Sequence, residues 1–568
     1  MTGGRTSPGI WGLPAMLLFL ATGAASVAVV AYLGRGQLAG GQHIYTGLLV
    51  FRYAVLLPVF WYFLRSAKPA KTSLPAIPLK WIAGPFLLMA AITSWYVTQG
   101  VIVPDESAYR FQGLVFASGR LWADAPPGAG VKISEIPPPL YFEHLLLVGP
   151  KWYSQIPPMW PAVLAPALKV GAEWLMSPLF GALLLLIAAM TARSLFGDAA
   201  TGAIAALLLA LSPYYLTNSV GIMTHAFCGT LVAGAVWLCV TGIRSHRWRP
   251  FLGMFALLSI ACLTRYFTGA VMALALGLTA LWGVRRDRGL LVRTLLTGAF
   301  FAALVLAAML FYNHTYTGNS LVSPYALVLD SHEPFYKSPQ LILNPRAIWS
   351  AILHDKRWGA QRTLFYTTPF LLLLATYGVW RERQFKTEVR ILAILAVVLV
   401  VAYQIETEDS AAVNGERYYF EVFSAVAILA ARGLANLAEN FRFSRERVAV
   451  ALGMMVCLQL CLQGTAIRGL LSKTEGERQL REAARHVSGP PRTAFLSEKL
   501  PFIPKHYLLD GPDWRKDTLM FLVDPGPAGR QEWACRMGRP EWVVFGYDPS
   551  TKSITQEFGA ASRGCPAL

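Results

Sequence analysis

Two acidic residues stand side by side in the stretch VIVPDESAYR, residues 101–110, directly after a long apolar run. A carboxylate within hydrogen-bond reach of a hydroxyl can take its proton during a reaction. Successive residues of a helix point about 100° apart, so Asp105 and Glu106 do not both face one small cavity. One acid would face a substrate, and the other would orient the first, cap a helix or bind a nearby loop. The alternative is that both acids simply open a helix, whose first turn favours negative charge.

Further polar groups recur between the later apolar runs. Each alone has an ordinary explanation, because an arginine at the end of a membrane span reaches for the headgroups and aromatic residues favour the interface. Their repetition indicates one polar site at a membrane surface. The stretches are KWYSQIPPMWP (151–161), MTHAF (223–227), LTRYFTG (263–269), YNHTYTGNSLVSPY (312–325) and GERYYFEV (415–422).

The composition indicates a polytopic α-helical membrane protein. Of the 568 residues 55% are hydrophobic and only 14% are charged, with a mean hydropathy of +0.45, whereas a soluble protein carries about 25% charged residues. The net charge of +18 reflects Lys and Arg in short loops, as the positive-inside rule requires. We therefore expect a lipid bilayer, and no nucleic acid, as a partner.

We predict about 13 spans from runs of bilayer-crossing length. Lys and Arg gather in alternate loops, which places the N-terminus in the cytoplasm and the acidic stretch outside. In a bacterium this is the inner membrane with a periplasmic site. The spans cover residues 11–33, 44–64, 79–98, 172–192, 199–218, 226–243, 250–264, 267–284, 294–312, 364–380, 389–405, 418–437 and 447–466.

The predicted organisation is a membrane domain, 1–466, followed by an outer domain, 467–568. Two long outer loops, 99–171 and 313–363, belong to the first, and we expect amphipathic helices on the membrane in loop 99–171. Short strand-like runs between Gly and Pro predict a small periplasmic α/β domain for the tail. Cys535 and Cys565 both lie there, where an oxidising compartment allows a disulfide. No cysteine spacing suggests a zinc site.

These motifs, in this order, resemble those of the GT-C-type glycosyltransferases of family 39, the protein O-mannosyltransferase-like group. They are more distantly similar to the aminoarabinose transferases of family 83. The resemblance spans roughly residues 80–440 and rests on PDESAY, WYSQIPPMWP, MTHAF, LTRYFTG, YNHTYTGNSLVSPY and GERYYFE. Tyr266 and Ala226 stand where the family pattern has Pro. His225 stands where family 83 has Asp, and Gln155 where it has Lys.

The resemblance implies a GT-C fold and an enzyme that takes a sugar from a polyprenyl-phosphate donor. A hexosyl or pentosyl group would pass, usually with inversion, to a lipid, glycan or protein acceptor on the periplasmic side. The first-loop Asp of the family is the general base, which makes Asp105 the base and Glu106 its supporting acid. No cofactor is certain, although the acid pair leaves a divalent cation open.

Cations would stabilise the charge that the leaving lipid phosphate gains, and the guanidinium fork matches phosphate. We expect Arg265 and Arg417 to bind the donor phosphate, with Lys151 and His225 behind them. The residues predicted to line the substrate groove are Tyr109, Tyr153, Gln155, Tyr418 and Tyr419.

The main alternative is a polytopic transporter or flippase of a lipid or glycan. Transporters place ionisable residues near mid-membrane on broken helices, often in two related halves. The predicted spans carry almost no mid-helix charge, and the two halves do not repeat. This pattern favours an enzyme at the membrane surface. A ligase of lipid-linked glycans and a non-catalytic subunit are weaker alternatives.

Overall fold

The computed structural model describes residues 75, 77–128, 136–329, 362–405, 411–412, 415–441, 445–506, 511–560 and 565. The predicted spans 11–33 and 44–64, and most of the loop 313–363, lie outside the described residues. All that follows concerns the described part of the chain.

Helices make up most of the described chain. The first set is α1 (Lys80–Val97), α2 (Asp105–Ala117), α3 (Met159–Lys169), α4 (Glu173–Phe196), α5 (Ala199–Ala210), α6 (Pro213–Thr217), α7 (His225–Ser245), α8 (Arg249–Thr264) and α9 (Tyr266–Val284). The second set is α10 (Arg288–Thr317), α11 (Pro324–Leu329), α12 (Leu371–Arg381), α13 (Lys386–Ile405), α14 (Phe423–Phe441), α15 (Arg445–Lys473), α16 (Glu475–Arg485) and α17 (Pro527–Arg536).

Within the described residues, six helical segments are long and apolar enough to cross a membrane. They are α4, α7, α9, α10, the segment Arg417–Phe441 that includes α14, and Val448–Lys473 of α15. Helices α5, α8 and α12 are apolar but shorter. The prediction of several membrane-crossing helices is therefore confirmed, while the count of thirteen stays a prediction.

One predicted span is wrong in detail. Residues 199–218 form two helices, α5 and α6, because the chain turns at Ser212 and restarts at Pro213. The Ser212 side chain accepts a hydrogen bond from the Tyr215 amide, and proline is favoured in the first helical turn, where its missing N–H costs nothing.

The loop between α1 and α4 contains α2, α3 and a small sheet, and the sequence did not predict the sheet. Strands β1 (Ala123–Asp124), β2 (Leu145–Val148) and β3 (Lys151–Ser154) pair antiparallel in the order β1-β3-β2. Trp152 on β3 is buried and packs on Phe111 of α2, with ring centroids 4.6 Å apart. The sheet therefore braces the helix that begins at Asp105.

The residues after α15 form a small α/β unit. Its sheet has the order β7-β6-β8-β9, built from β6 (Arg492–Leu496), β7 (Leu519–Val523), β8 (Glu541–Asp548) and β9 (Ser553–Ala560). Only β9 runs antiparallel to its neighbour. Cys535 and Cys565 form a disulfide between α17 and the segment after β9. A two-residue hairpin, β4 (Ala411–Ala412) and β5 (Gly415–Glu416), precedes α14.

Helices α12 and α14 pack with their backbones in contact. A side-chain carbon added at Gly433 would overlap the Leu374 carbonyl, and one at Gly378 would lie 2.5 Å from the Leu429 carbonyl. Small residues allow such close approach between membrane helices.

Replacing Gly433 with alanine should therefore destabilise the protein, because the added carbon has no room and overpacking costs about 1–3 kcal/mol. Thermal unfolding of the detergent-solubilised protein measures the effect. Gly453→Ala on α15 is the matched control, since an added carbon there meets nothing within 4 Å. Equal melting temperatures for Gly433→Ala and wild type would contradict the close packing.

Candidate active site

Asp105 is the first residue of helix α2 and forms an ion pair with Arg417, 312 positions later in the sequence. Its Oδ2 accepts a hydrogen bond of 3.1 Å from Nη1 of Arg417, and the side chains are 23% and 15% exposed. Burial alone would raise the pKa of Asp105. The charges of Arg417 and His144 outweigh it and lower that pKa to about 2. The carboxylate is thus ionised at neutral pH and able to accept a hydrogen bond.

The ring of Tyr418 lies between the two arginines predicted to bind phosphate. Its centroid is 5.4 Å from Cζ of Arg417 and 4.9 Å from Cζ of Arg265, within the range of cation–π attraction. Tyr403 of α13 stacks on the same ring at 4.8 Å. Arg265, Arg417 and Tyr418 therefore form one cationic surface beside Asp105.

Arg265 lies at the junction of α8 and α9, where the helix breaks. Its Nη1 is 2.7 Å from Nδ1 of His225, and its Nη2 donates to the Tyr403 hydroxyl at 3.3 Å. Its Nε is 3.6 Å from Oε1 of Glu421. The guanidinium is thus fixed by three different elements, as its fork of donors permits.

Glu421 is a buried acid beside Arg265 and His225 that the sequence analysis did not identify. It is 1% exposed, and its Oε1 lies 3.1 Å from Nδ1 of His225. Its Oε2 has no hydrogen-bond partner among the described residues, and the residue borders a cavity of about 10 Å³, roughly the room one water needs. An acid inside an apolar segment is the signal that could have identified it.

Tyr109 lies one turn after Asp105 on α2 and on the same face. It is buried. Burial raises the pKa of its hydroxyl well above the usual value, and the charges of Asp105, Arg265 and Arg417 also act on that hydroxyl. Tyr109 is therefore a neutral hydrogen-bond donor at the site.

The Glu106 carboxylate accepts hydrogen bonds from two backbone amides. Its Oε2 accepts from the Ile102 amide at 2.6 Å and its Oε1 from the Ile222 amide at 2.7 Å. Gly221 has a φ of +76°, and a side-chain carbon there would overlap Oε1 of Glu106. Of the roles considered above, these contacts match the binding of a nearby loop. Because both oxygens accept backbone amides, the contacts favour a positioning role for Glu106, and its assignment as the supporting acid of Asp105 stays a prediction.

Glu477 of α16 holds the adjacent amide. Its Oε2 accepts from the Val101 amide at 2.9 Å, so two carboxylates bind two successive amides just before α2. We call Glu106 and Glu477 the carboxylate clasp. Burial raises the pKa of each to about 7. The C-terminal unit thereby takes part in placing Asp105.

A second contact joins the C-terminal unit to α2. The Ser107 hydroxyl donates to the His506 carbonyl at 2.9 Å, and the His506 ring lies 2.5 Å from the Glu143 carboxylate. The next residue, His144, has a φ of +66° and is one of the groups that lower the pKa of Asp105. The sequence analysis did not identify His144.

Two predicted residues contact groups other than the expected ones. The Lys151 ammonium donates to the Thr315 carbonyl at 2.7 Å and lies over the Trp122 ring. Tyr153 is fully buried against Tyr316. Their assignments to the donor phosphate and to the substrate groove stay predictions.

Gln155 is also buried, but it lies close to the site. Its Nε2 is 2.7 Å from Nδ1 of His144, so it fixes a ring that acts on Asp105. Tyr419 follows Tyr418 and is half-buried. Among the described residues, no group of three or more His, Cys, Asp or Glu is placed to hold a metal ion.

Comparison with known proteins gives the context of this site. A family model described as dolichyl-phosphate-mannose-protein mannosyltransferase matches residues 157–315. The crystal structure of ArnT from Cupriavidus metallidurans bound to undecaprenyl phosphate aligns with a TM-score of 0.52 at 15% identity, over 86% of this chain and 100% of that chain. The crystal structure of ArnT from the same organism in the apo state aligns with a TM-score of 0.49 at 16% identity, over 86% of this chain and 99% of that chain. The structure of the S. cerevisiae protein O-mannosyltransferase Pmt1-Pmt2 complex bound to the sugar donor aligns with a TM-score of 0.30 at 15% identity, over 44% of this chain and 35% of that chain.

No curated protein sequence matches the chain. The motif resemblance is nevertheless supported: the protein mannosyltransferase family model matches within residues 157–315, and the fold is similar to that of ArnT. The fold is shared with ArnT along most of the chain, and the sequence match includes MTHAF and LTRYFTG.

The clasp makes stability depend on pH. The pKa of Glu477 rises from 4.5 to about 7 on folding, so its contribution to stability is fullest below pH 4.5 and is lost as the pH rises through 7. Glu106 adds to this rise, whereas Lys473 and Arg481 oppose it. Glu477→Gln still accepts the Val101 amide but does not ionise, so it should become more stable relative to wild type between pH 5 and 8, by on the order of 3 kcal/mol.

Thermal unfolding across this pH range tests the expectation. Glu482→Gln is the matched control, because Glu482 lies on the same helix and is exposed. Parallel curves for wild type and Glu477→Gln would show that Glu477 does not ionise in the way proposed.

Proposed function

We propose that this protein is a membrane glycosyltransferase that moves a sugar from a polyprenyl-phosphate donor to an acceptor on the periplasmic side, with inversion and with Asp105 as general base. The observation that carries the proposal is the placement of one ionised carboxylate, Asp105, beside two arginines that share the Tyr418 ring. This set lies at the ends of apolar helices, on a fold shared with ArnT.

Sugar transfer requires both the negative charge of Asp105 and the positive charge of the two arginines. Asp105 takes the proton of the acceptor hydroxyl while the new bond to the sugar C1 forms and the bond from C1 to the phosphate oxygen breaks. The leaving polyprenyl phosphate gains negative charge, which Arg265 and Arg417 stabilise. Inversion requires the acceptor hydroxyl to attack C1 from the face opposite the leaving phosphate.

The Asp105–Arg417 ion pair links binding of the donor to the basicity of Asp105. A carboxylate with a pKa of about 2 is a weak base while Arg417 is its only strong partner. A donor phosphate bound to the same guanidinium offsets that positive charge, so the pKa of Asp105 moves back toward its ordinary value. Arg417 has five N–H donors and can contact both anions. Donor binding would thus activate the base.

A groove between α8, α9 and α10 suits the lipid chain of the donor. Its volume is about 590 Å³ and its lining is almost wholly apolar. Cys262 lines it, one helical turn before Arg265. The outer side of α10 is exposed at Leu296 and Phe300, so the groove would open to the bilayer. A phosphate at Arg265 therefore lies at the end of a path for a polyprenyl chain.

Asp105→Asn should fold normally and lose sugar transfer, because asparagine keeps the shape but takes no proton. The measurement is transfer from a panel of radiolabelled polyprenyl-phosphate sugars by purified protein at matched expression. Asp124→Asn, an exposed acid of the same loop, should keep full activity.

Each outcome of that experiment decides something. Consumption of one donor by wild type and not by Asp105→Asn identifies the sugar and supports the base. Equal activity of the two proteins would remove Asp105 from catalysis. Turnover of no donor at all, with transport of a lipid-linked glycan across vesicles, would favour the transporter or flippase alternative.

Arg265→Lys should lower transfer at least tenfold. Lysine keeps the charge but does not reproduce the planar fork that reaches His225, Tyr403 and phosphate together. Initial rates against donor concentration measure the change, and we expect a higher KM for the donor. Arg381→Lys, a surface arginine over Trp380, is the control. Unchanged kinetics for Arg265→Lys would show that the fork is not used.

A further inference from the structure

A cleft of about 460 Å³ lies at the end of the helices remote from the candidate active site. One wall is formed by Arg247 and Trp248, between α7 and α8, and by Arg249, the first residue of α8. Asp287 and Arg293, at the start of α10, form the other. Helix α8 has 16 residues and ends beside Arg265, which separates the two sites by about 24 Å. The cleft therefore belongs to neither the base nor the phosphate-binding arginines.

Three positive charges in this cleft lack compensation. Among the described residues, Arg247, Arg249 and Arg293 form no ion pair within 4.0 Å, whereas the nearby Arg244 pairs with Glu388 at 2.9 Å. Asp287 is the one acid lining the cleft, and its Oδ1 accepts the Leu290 amide at 3.0 Å as the cap of α10. Like charges held close together repel, so an anion bound here would stabilise the protein.

The surroundings indicate that the anion belongs to a lipid. Val292 and Leu296, on either side of Arg293, are 52% and 63% exposed, which suits contact with acyl chains. Trp248 and Trp282 are 38% and 54% exposed, and exposed tryptophans mark the interface of a bilayer. These neighbours favour a phospholipid headgroup over a free anion, and basic pockets between membrane helices bind such headgroups.

We propose that this cleft binds the headgroup of an anionic phospholipid, with the phosphate between Arg247, Arg249 and Arg293 and the acyl chains along α10. The guanidinium fork matches a phosphate diester in geometry as well as charge. The site is independent of sugar transfer, because it shares no residue with the candidate active site.

Native mass spectrometry of the detergent-purified full chain tests the proposal, with phosphatidylglycerol, phosphatidylcholine and inorganic phosphate as three separate probes. We expect saturable binding of phosphatidylglycerol at least tenfold tighter than of phosphatidylcholine. The triple variant Arg247→Gln, Arg249→Gln, Arg293→Gln should weaken that binding at least tenfold, since each basic residue contributes to attraction of anionic lipid. The control triple Arg285→Gln, Arg286→Gln, Arg383→Gln removes the same charge at other exposed positions and should bind as wild type.

Three results would overturn the proposal. Equal loss in both triple variants would mean that only net charge matters. Binding of phosphatidylcholine as tight as that of phosphatidylglycerol would remove the charge selectivity. Displacement of phosphatidylglycerol by millimolar inorganic phosphate would make the cleft a site for free anions. If the cleft triple does not purify, Arg293→Gln alone should still weaken phosphatidylglycerol binding measurably, and an unchanged affinity for that variant would count against the site.

Discussion

The ion pair between Asp105 and Arg417 is the interaction on which the site depends. It joins the loop after α1 to the turn before α14, two segments separated by 312 positions in the sequence. Charge on a partly buried carboxylate is costly unless a partner compensates it. Arg417 supplies that compensation. Arg417 and Arg265 both lie over the ring of Tyr418, so the ring holds the two guanidinium groups near each other. Disruption of the pair would therefore raise the pKa of Asp105, the proposed base, and remove a contact that positions Arg417.

The carboxylate clasp holds the backbone that precedes helix α2. Asp105 is the first residue of α2, and the start of a helix is free to shift unless its preceding amides are held. Glu106 and Glu477 bind the two amides in question, and glycines at positions 100 and 221 leave room for their side chains. The small C-terminal unit is thus connected to the site through backbone, in addition to any contact with an acceptor.

Much of the fold could be predicted because a bilayer demands long apolar runs whatever the tertiary contacts. The spans corresponding to α4, α7 and α9 follow directly from such runs. The break at Ser212 was missed, because hydropathy does not change where a serine cap and a proline divide a helix. The sheet of β1, β2 and β3 was missed because its strands are too short to show an alternating pattern.

Residue types and motif order determined the resemblance to GT-C enzymes, the expected membrane setting and the choice of Asp105, Arg265 and Arg417 as candidates. Each of these follows from local chemistry, since an arginine or an acid at the end of an apolar run needs a reason to be there. Only the tertiary structure decided how the neighbouring acids divide their roles. Glu106 turns to backbone, Glu421 compensates Arg265, and Lys151 binds a helix end, because the choice depends on which partners the folded chain brings within hydrogen-bond distance.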